Sequence, residues 1–205
     1  MYFIFDFDGT IIDSFQCVIE KFNLLSKTFK FKEIPLEEAN SLKNFSIQEI
    51  IQQLNIPLYK IPPVLRLARK YLHEDMNTLS PFNHVASVLK SLVDSGMTLG
   101  ILTSNSKENV VSWLNHQKIS ELFTFVYAES PLFGKKNLLK RVIKKNKMPR
   151  EKTYYIGDEV RDIEAAKKCG IYSVAVTWGF NSAKILSEHH PDFLIDHPQE
   201  LLQIK

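Results

Sequence analysis

Six short runs of apolar, β-branched or aromatic residues recur along this chain: YFIF at 2–5, TLGILT at 98–103, FTFVYA at 123–128, TYYIG at 153–157, YSVAVT at 172–177 and DFLID at 192–196. Each is bounded by turn residues, and helical patterns fill most of the gaps. Among these, SKENVVSWLNHQ starts behind Asn105 and Ser106, both good helix N-caps, and RDIEAAKKCG ends on Gly170. Strands this continuously apolar must be buried on both faces, and strand–helix alternation supplies the covering layers. The expected fold is therefore α/β, a Rossmann-like parallel sheet with helices on both faces.

One segment breaks the alternation. Between Asp13 and about Pro81 only helical patterns occur. SFQCVIEKFNLLSKTF carries Val18, Phe22 and Leu25 on one face, and SIQEIIQQL opens with Ser46 and Glu49 at capping-box spacing. Pro63 stands where a first helical turn tolerates proline. The expectation is a small all-helical cap at 15–81, inserted into a core made of 1–14 and 82–205.

Composition narrows the class without deciding it. The 205 residues are 44% hydrophobic and 24% charged, with a formal net charge of +3, values ordinary for a globular protein. Basic residues cluster in GKKNLLKRVIKKNK, but Leu138, Leu139, Val142 and Ile143 recur there at helical spacing and no aromatics interleave. A solvated helix face is the better account, and no nucleic-acid partner is expected. Cys17 and Cys169 form no CxxC pair, and no apolar run approaches the roughly 18 residues of a membrane span. The sequence shows no basic leader followed by an apolar stretch. These features read as a cytoplasmic protein with no membrane partner.

In open α/β sheets the site lies beyond the carboxyl ends of the strands. Asp6 and Asp8 end the first run, Thr103, Ser104 and Asn105 end the second, and Gly157, Asp158 and Glu159 end the fourth. Lys135 begins a helix behind Gly134. Carboxylates, hydroxyls, amides and a lysine at one rim suit phosphoryl transfer. Mg²⁺ prefers carboxylate oxygens, and Asp6 and Asp158 can supply them. A carboxylate can attack phosphorus, and a second carboxyl two residues on can act as acid and base. Gly9 permits close approach, while Thr103 and Lys135 offer a donor and a positive charge to phosphoryl oxygens. Between the neighbouring lysines, Lys135 is the one above the apolar face and Lys136 the solvated one. An EF-hand does not fit, because Gly9 stands at loop position four and Cys17 where a glutamate belongs. Nor does a nucleotide phosphate loop, since no Ser or Thr follows the lysines after Gly134.

Taken in order, these residues resemble the haloacid dehalogenase superfamily of phosphotransferases. Its motifs are matched by Asp6-Phe7-Asp8-Gly9-Thr10, by Thr103 ending an apolar strand, by Lys135, and by Gly157, Asp158 and Asp162 in a GDxxxD pattern. The resemblance implies Asp6 as nucleophile, Asp8 as acid/base, and Asp6, the Asp8 carbonyl and Asp158 as ligands of Mg²⁺. It implies Asp162 as a supporting carboxylate and Glu159 as at most an indirect contributor. Gly9, Thr10, Ser104, Asn105 and, from the cap segment SLKNFS, Lys43 would meet the phosphate or substrate. Arg66 and Arg69 read as surface residues of a cap helix.

The resulting expectation is a Mg²⁺-dependent phosphatase acting on a small phosphorylated metabolite, a phosphoglycolate-like or sugar phosphate monoester, through an aspartyl-phosphate. Dehalogenases of the superfamily lack the second aspartate, so Asp8 argues against C–halogen cleavage. A sugar phosphomutase is the alternative within the family, although Ile47 stands where some of those enzymes carry an arginine. A receiver-like phospho-switch is the alternative outside it, but receivers are about half this length and lack the helical insertion.

Overall fold

The computed structural model describes residues 1–128 and 134–204. Six parallel strands form one sheet: β1 (Tyr2–Phe5), β2 (Thr98–Leu102), β3 (Phe123–Tyr127), β4 (Thr153–Gly157), β5 (Tyr172–Val176) and β6 (Phe193–Ile195), in the spatial order β3-β2-β1-β4-β5-β6. The order reverses beside β1, which pairs Phe3 with Leu99 of β2 on one side and with Tyr154 of β4 on the other. Such a reversal opens a crevice at the carboxyl ends of the central strands. The first run of the sequence is thus the central strand, and its terminal carboxylates face that crevice.

Alternation along the strands builds two cores. Phe3, Phe5, Leu99, Ile101, Tyr154 and Ile156 pack on helices α4 (Val85–Asp94) and α5 (Lys107–His116). Their neighbours Ile4, Leu102 and Tyr155 pack on α6 (Lys135–Lys145) and α7 (Val160–Cys169). A period of two along strands covered on both sides produces this division.

Residues after the first turn form α1 (Phe15–Phe29), α2 (Ile47–Gln53) and α3 (Ile61–Asp75), with only short 3₁₀ turns between. Ile19, Leu25, Ile34, Leu42, Ile51, Leu54, Val64 and Ala68 make a third apolar cluster separate from the two against the sheet. Ser46 does cap α2, accepting from Glu49 N while Ser46 N donates to the Glu49 carboxylate. The two passages between this layer and the sheet run antiparallel: Asp13 N donates to Ser80 O (3.1 Å) and Phe82 N to Ile11 O (3.1 Å). A paired stem of this kind fixes the base of the insertion.

Trp113 of α5 seals the stem. It is fully buried, stands edge-on to Phe7 at 5.3 Å and donates its indole N–H to Leu79 O at 2.8 Å. Trp113→Phe removes that donor from the partly buried Leu79 O and shrinks the packed ring. The expected loss is about 1–3 kcal/mol of unfolding free energy, to be read from urea denaturation against the parent.

Candidate active site

Asp6 follows β1 directly, and its N–H donates to Ile156 O of β4 at 2.8 Å, so the last rung of the ladder sets the carboxylate beside β4. The chain then folds tightly on itself: Phe7 O accepts from Thr10, Ile11 and Ile12, all within 3.3 Å. Gly9 takes φ +73°, and a Cβ there would run into the Asp158 carboxylate and the Phe180 ring. Asp8 is presented at this turn. Asn105, three residues past the end of β2, donates its amide to Asp8 Oδ2 at 2.9 Å. Oδ1 of Asp8 is buried without a partner of hydrogen-bond geometry among the described residues.

From the other side of the crevice comes Lys135. Although Gly134 precedes it, the backbone there has φ −114°, a conformation open to any residue, so no glycine hinge is required. Lys135 is buried and Lys136 exposed. The Lys135 ammonium donates to Asp6 Oδ2 (2.6 Å) and to Asp162 Oδ1 (2.5 Å), and lies 5.6 Å from the centre of the Tyr155 ring. Asp162, in the first turn of α7, also accepts from Glu159 N at 3.1 Å. Its second oxygen thus caps the helix.

Asp158 sits deeper, at the end of β4. Its Oδ1 accepts from Thr10 Oγ1 (2.6 Å) and its Oδ2 from Phe180 N (2.7 Å). Gly9 and Gly179 close on it from two sides, where a Cβ on either would overlap its carboxylate. The sequence groups Asp158 with Asp6, whereas the carboxylate oxygens that come within 4.8 Å of one another are those of Asp6, Glu159 and Asp162. That acidic cluster could hold a metal ion. The difference arises because both Asp158 oxygens are turned to donors on Thr10 and the 179–182 loop.

Five carboxylates (Asp6, Asp8, Asp158, Glu159 and Asp162) meet two cations, Lys135 and Arg161, in this crevice. The excess is visible in their acidities. Burial first, then the charge of Asp6, pushes the Asp8 carboxyl up to about 6, with Ser14, Asn105 and Arg161 pulling the other way. Burial drives Asp162 up to about 6 even against Lys135, and drives Asp158 well above the carboxylate range with Glu159, Asp162 and Asp6 adding to it. Burial opposes the charge on Lys135, but Asp162 and Asp6 outweigh it and hold the ammonium protonated. An added cation would relieve this repulsion.

The phosphate-side residues expected from the sequence are only partly turned to the crevice. The Thr103 hydroxyl is buried and accepts from Asn105 N at 3.1 Å. Ser104 Oγ accepts from Arg161 Nη1 at 3.1 Å. Lys43 donates its ammonium to Gly179 O at 2.9 Å and lies over the Phe15 ring at 4.5 Å. Arg69 is not the surface residue expected: it is half-buried on α3, and its carbonyl accepts from Asn109.

Two residues were missed. Arg161 spans from Ser104 to Glu159, whose Oε1 it meets at 2.5 Å. Asn181 ties the crevice to the helical layer: its Oδ1 accepts from Val160 N (2.9 Å), while its Nδ2 donates to Phe45 O (3.0 Å) and Lys43 O (3.3 Å). Ser182 adds bonds to Lys43 O and Asn44 Oδ1. The signal was WGFN following the fifth apolar run, a glycine between aromatics at a strand end. Asn181→Ala removes this tie at both ends. Hydrogen-exchange mass spectrometry is expected to show about tenfold faster exchange or more over 39–46 and 178–182, with β1 and β2 unchanged.

Comparison with known proteins agrees with this geometry. The chain is 34% identical to a phosphoglycolate phosphatase of Synechococcus elongatus over 98% of its own length and 94% of the relative's. It is 25% identical to the pyrophosphatase PpaX of Oceanobacillus iheyensis, with the same two coverages. A solved structure of a predicted phosphatase from Clostridium acetobutylicum superposes with a TM-score of 0.83 at 22% identity, covering 99% of this chain and 98% of that one. Residues 3–176 match the haloacid dehalogenase-like hydrolase family, and with the acidic crevice and its lysine in place, the chain belongs to that family of enzymes.

Proposed function

We propose that this protein is a Mg²⁺-dependent phosphatase that hydrolyses a small phosphate monoester through an aspartyl-phosphate on Asp6. The observation that carries the reading is the buried Lys135 ammonium bridging Asp6 and Asp162, with the Asp8 carboxyl on the same turn as Asp6. The relative named phosphoglycolate phosphatase supports the reaction class. The donor set suits Mg²⁺: hard oxygen ligands, more carboxylates than cations, and an unpartnered buried carboxylate oxygen. The family resemblance would put the ion on Asp6, the Asp8 carbonyl and Asp158, while the carboxylate oxygens gathered nearest Asp6 are those of Glu159 and Asp162, Asp158 being turned to Thr10 and Phe180 N. When bound, the ion supplies charge neutralisation for the phosphoryl oxygens and the attacking carboxylate.

The chain's own groups then act in two steps. An Asp6 carboxylate oxygen attacks phosphorus as the ester P–O bond breaks, and Asp8 gives its proton to the departing alcohol oxygen. Burial, which raises the Asp8 pKa to about 6, keeps that proton available closer to neutrality than on an ordinary carboxyl. Asp8, now a carboxylate, takes a proton from water as the water oxygen attacks phosphorus, and the Asp6–phosphorus bond breaks to restore Asp6 and release phosphate. Lys135 holds Asp6 in place and stabilises charge on the phosphoryl oxygens throughout. Asn105 orients Asp8 through its amide.

Asp6→Asn is expected to abolish phosphate release from any monoester while the circular dichroism spectrum stays that of the parent, since an amide is a poor nucleophile. A folded, fully active Asp6→Asn protein would contradict the assignment. Lys135→Ala is expected to lower kcat/KM by on the order of 10²-fold or more, with Lys136→Ala within a few-fold of the parent. For the metal, Mg²⁺ added to chelator-treated protein is expected to raise both Tm and phosphate release. Turnover indifferent to EDTA would remove the ion from the reading.

A further inference from the structure

One cavity of about 200 Å³ extends from the crevice into the helical layer. Its inner end is polar, touched by Asp8, Ser104, Asn105, Glu159 and Arg161. Beyond the collar of Phe15 and Phe180, whose rings meet edge-on at 5.4 Å, the wall becomes apolar. There it is formed by side chains of α1, α2 and α3, among them Phe22, Ile47, Ile50, Ile51, Leu65 and Ala68. The basic side chains on this outer wall are Lys21, whose ammonium is ion-paired with Asp75, and the half-buried Arg69.

We infer that this cavity houses the leaving group of the substrate and that the leaving group is apolar: the substrate is a phosphate monoester of an alkyl or aryl alcohol. The inference rests on the phosphatase reading above and specifies its substrate class. Protein interiors are close-packed, and a void of this size forfeits the contacts its walls would otherwise make. An apolar cavity on the order of 150 Å³ stays dry and takes in a benzene ring. This one is somewhat larger and is continuous with the nucleophile's turn. Sugar hydroxyls placed against Ile47, Ile50 and Leu65 would surrender water without gaining a partner, an unfavourable exchange. A glycolate carboxylate would need a cation, and the basic groups near the cavity are engaged. Lys43 bonds to Gly179 O over the Phe15 ring, Lys21 pairs with Asp75, Arg161 meets Ser104 and Glu159, and Arg69 is likewise engaged. An ester with a charged head and an apolar body matches the division of the wall: head among Asp8, Asn105 and Arg161, body among the side chains of α1 to α3.

The test is a homologous series of methyl, butyl and hexyl phosphate, set beside 2-phosphoglycolate, with Mg²⁺ present. Each methylene drawn into the cavity is expected to raise kcat/KM by about fourfold, so hexyl phosphate exceeds methyl phosphate by at least about 10²-fold and also exceeds 2-phosphoglycolate. A flat series, or a preference for 2-phosphoglycolate over the hexyl ester, overturns the inference. Ala68→Leu and Ile50→Phe each narrow the cavity, and the hexyl-to-methyl ratio is expected to fall about tenfold in whichever variant folds; a ratio unchanged in a folded variant counts against the cavity. Hexylphosphonate, which cannot be hydrolysed, is expected to raise Tm by a few degrees at millimolar concentration where methylphosphonate does not. Equal shifts would refute the assignment. If no monoester is hydrolysed, p-nitrophenyl phosphate included, the phosphatase reading falls, and the phosphonate shifts still decide whether the cavity accepts an apolar chain.

Discussion

The Lys135 ammonium, buried between Asp6 and Asp162, is the interaction on which the rest of the crevice depends. It joins three pieces of chain far apart in sequence: the end of β1, the first residue of α6 and the first turn of α7. Taking two carboxylates and an ammonium out of water is unfavourable unless each meets its partners, and removing one partner leaves a buried charge behind. Such a triad is poor evidence for stability. Well-packed apolar residues could hold the same junction with less desolvation, so stability alone does not account for these charges.

A second constraint follows from the crowding of acids around that lysine. Asp158 is kept in place by Thr10 Oγ1 and Phe180 N, and the loop that supplies Phe180 N also supplies Asn181 and Ser182 to the helical layer. One short loop therefore holds the deepest carboxylate of the crevice and the segment 43–45 together. Displacing the helical layer would disturb Asp158, and displacing Asp158 would loosen the layer.

Much of this was legible beforehand. All six strands lie where apolar runs stand between turn residues, since a strand buried on both faces needs nothing but apolar side chains, and that pattern is local. Asp6, Asp8 and Lys135 were singled out for a related reason: each is a charged residue at or just past the end of an element with an apolar face, a conflict visible in one dimension, while Asp162 was implied only by the family resemblance. Arg161 and Asn181 were not. A charged residue in the first turn of a helix and an asparagine in a loop are ordinary, and their roles come from partners 57 and 136 residues away. Glu159 was likewise undervalued, because its proximity to Asp6 depends on how β4 sits beside β1.

The sequence by itself determined the α/β class and the helical interruption after the first strand, and it offered Asp6, Asp8, Asp158 and Lys135 as candidates at the ends of elements. Periodicity and terminal charge are properties of neighbouring residues, so they survive without coordinates. Tertiary structure alone decided which carboxylates cluster, which residues Lys43 and Arg161 engage, and that an apolar cavity opens from Asp8 into α1, α2 and α3. Those are matters of distance between segments remote in the chain. Strand order and the docking of the helical layer set them, and neither is written in any local pattern.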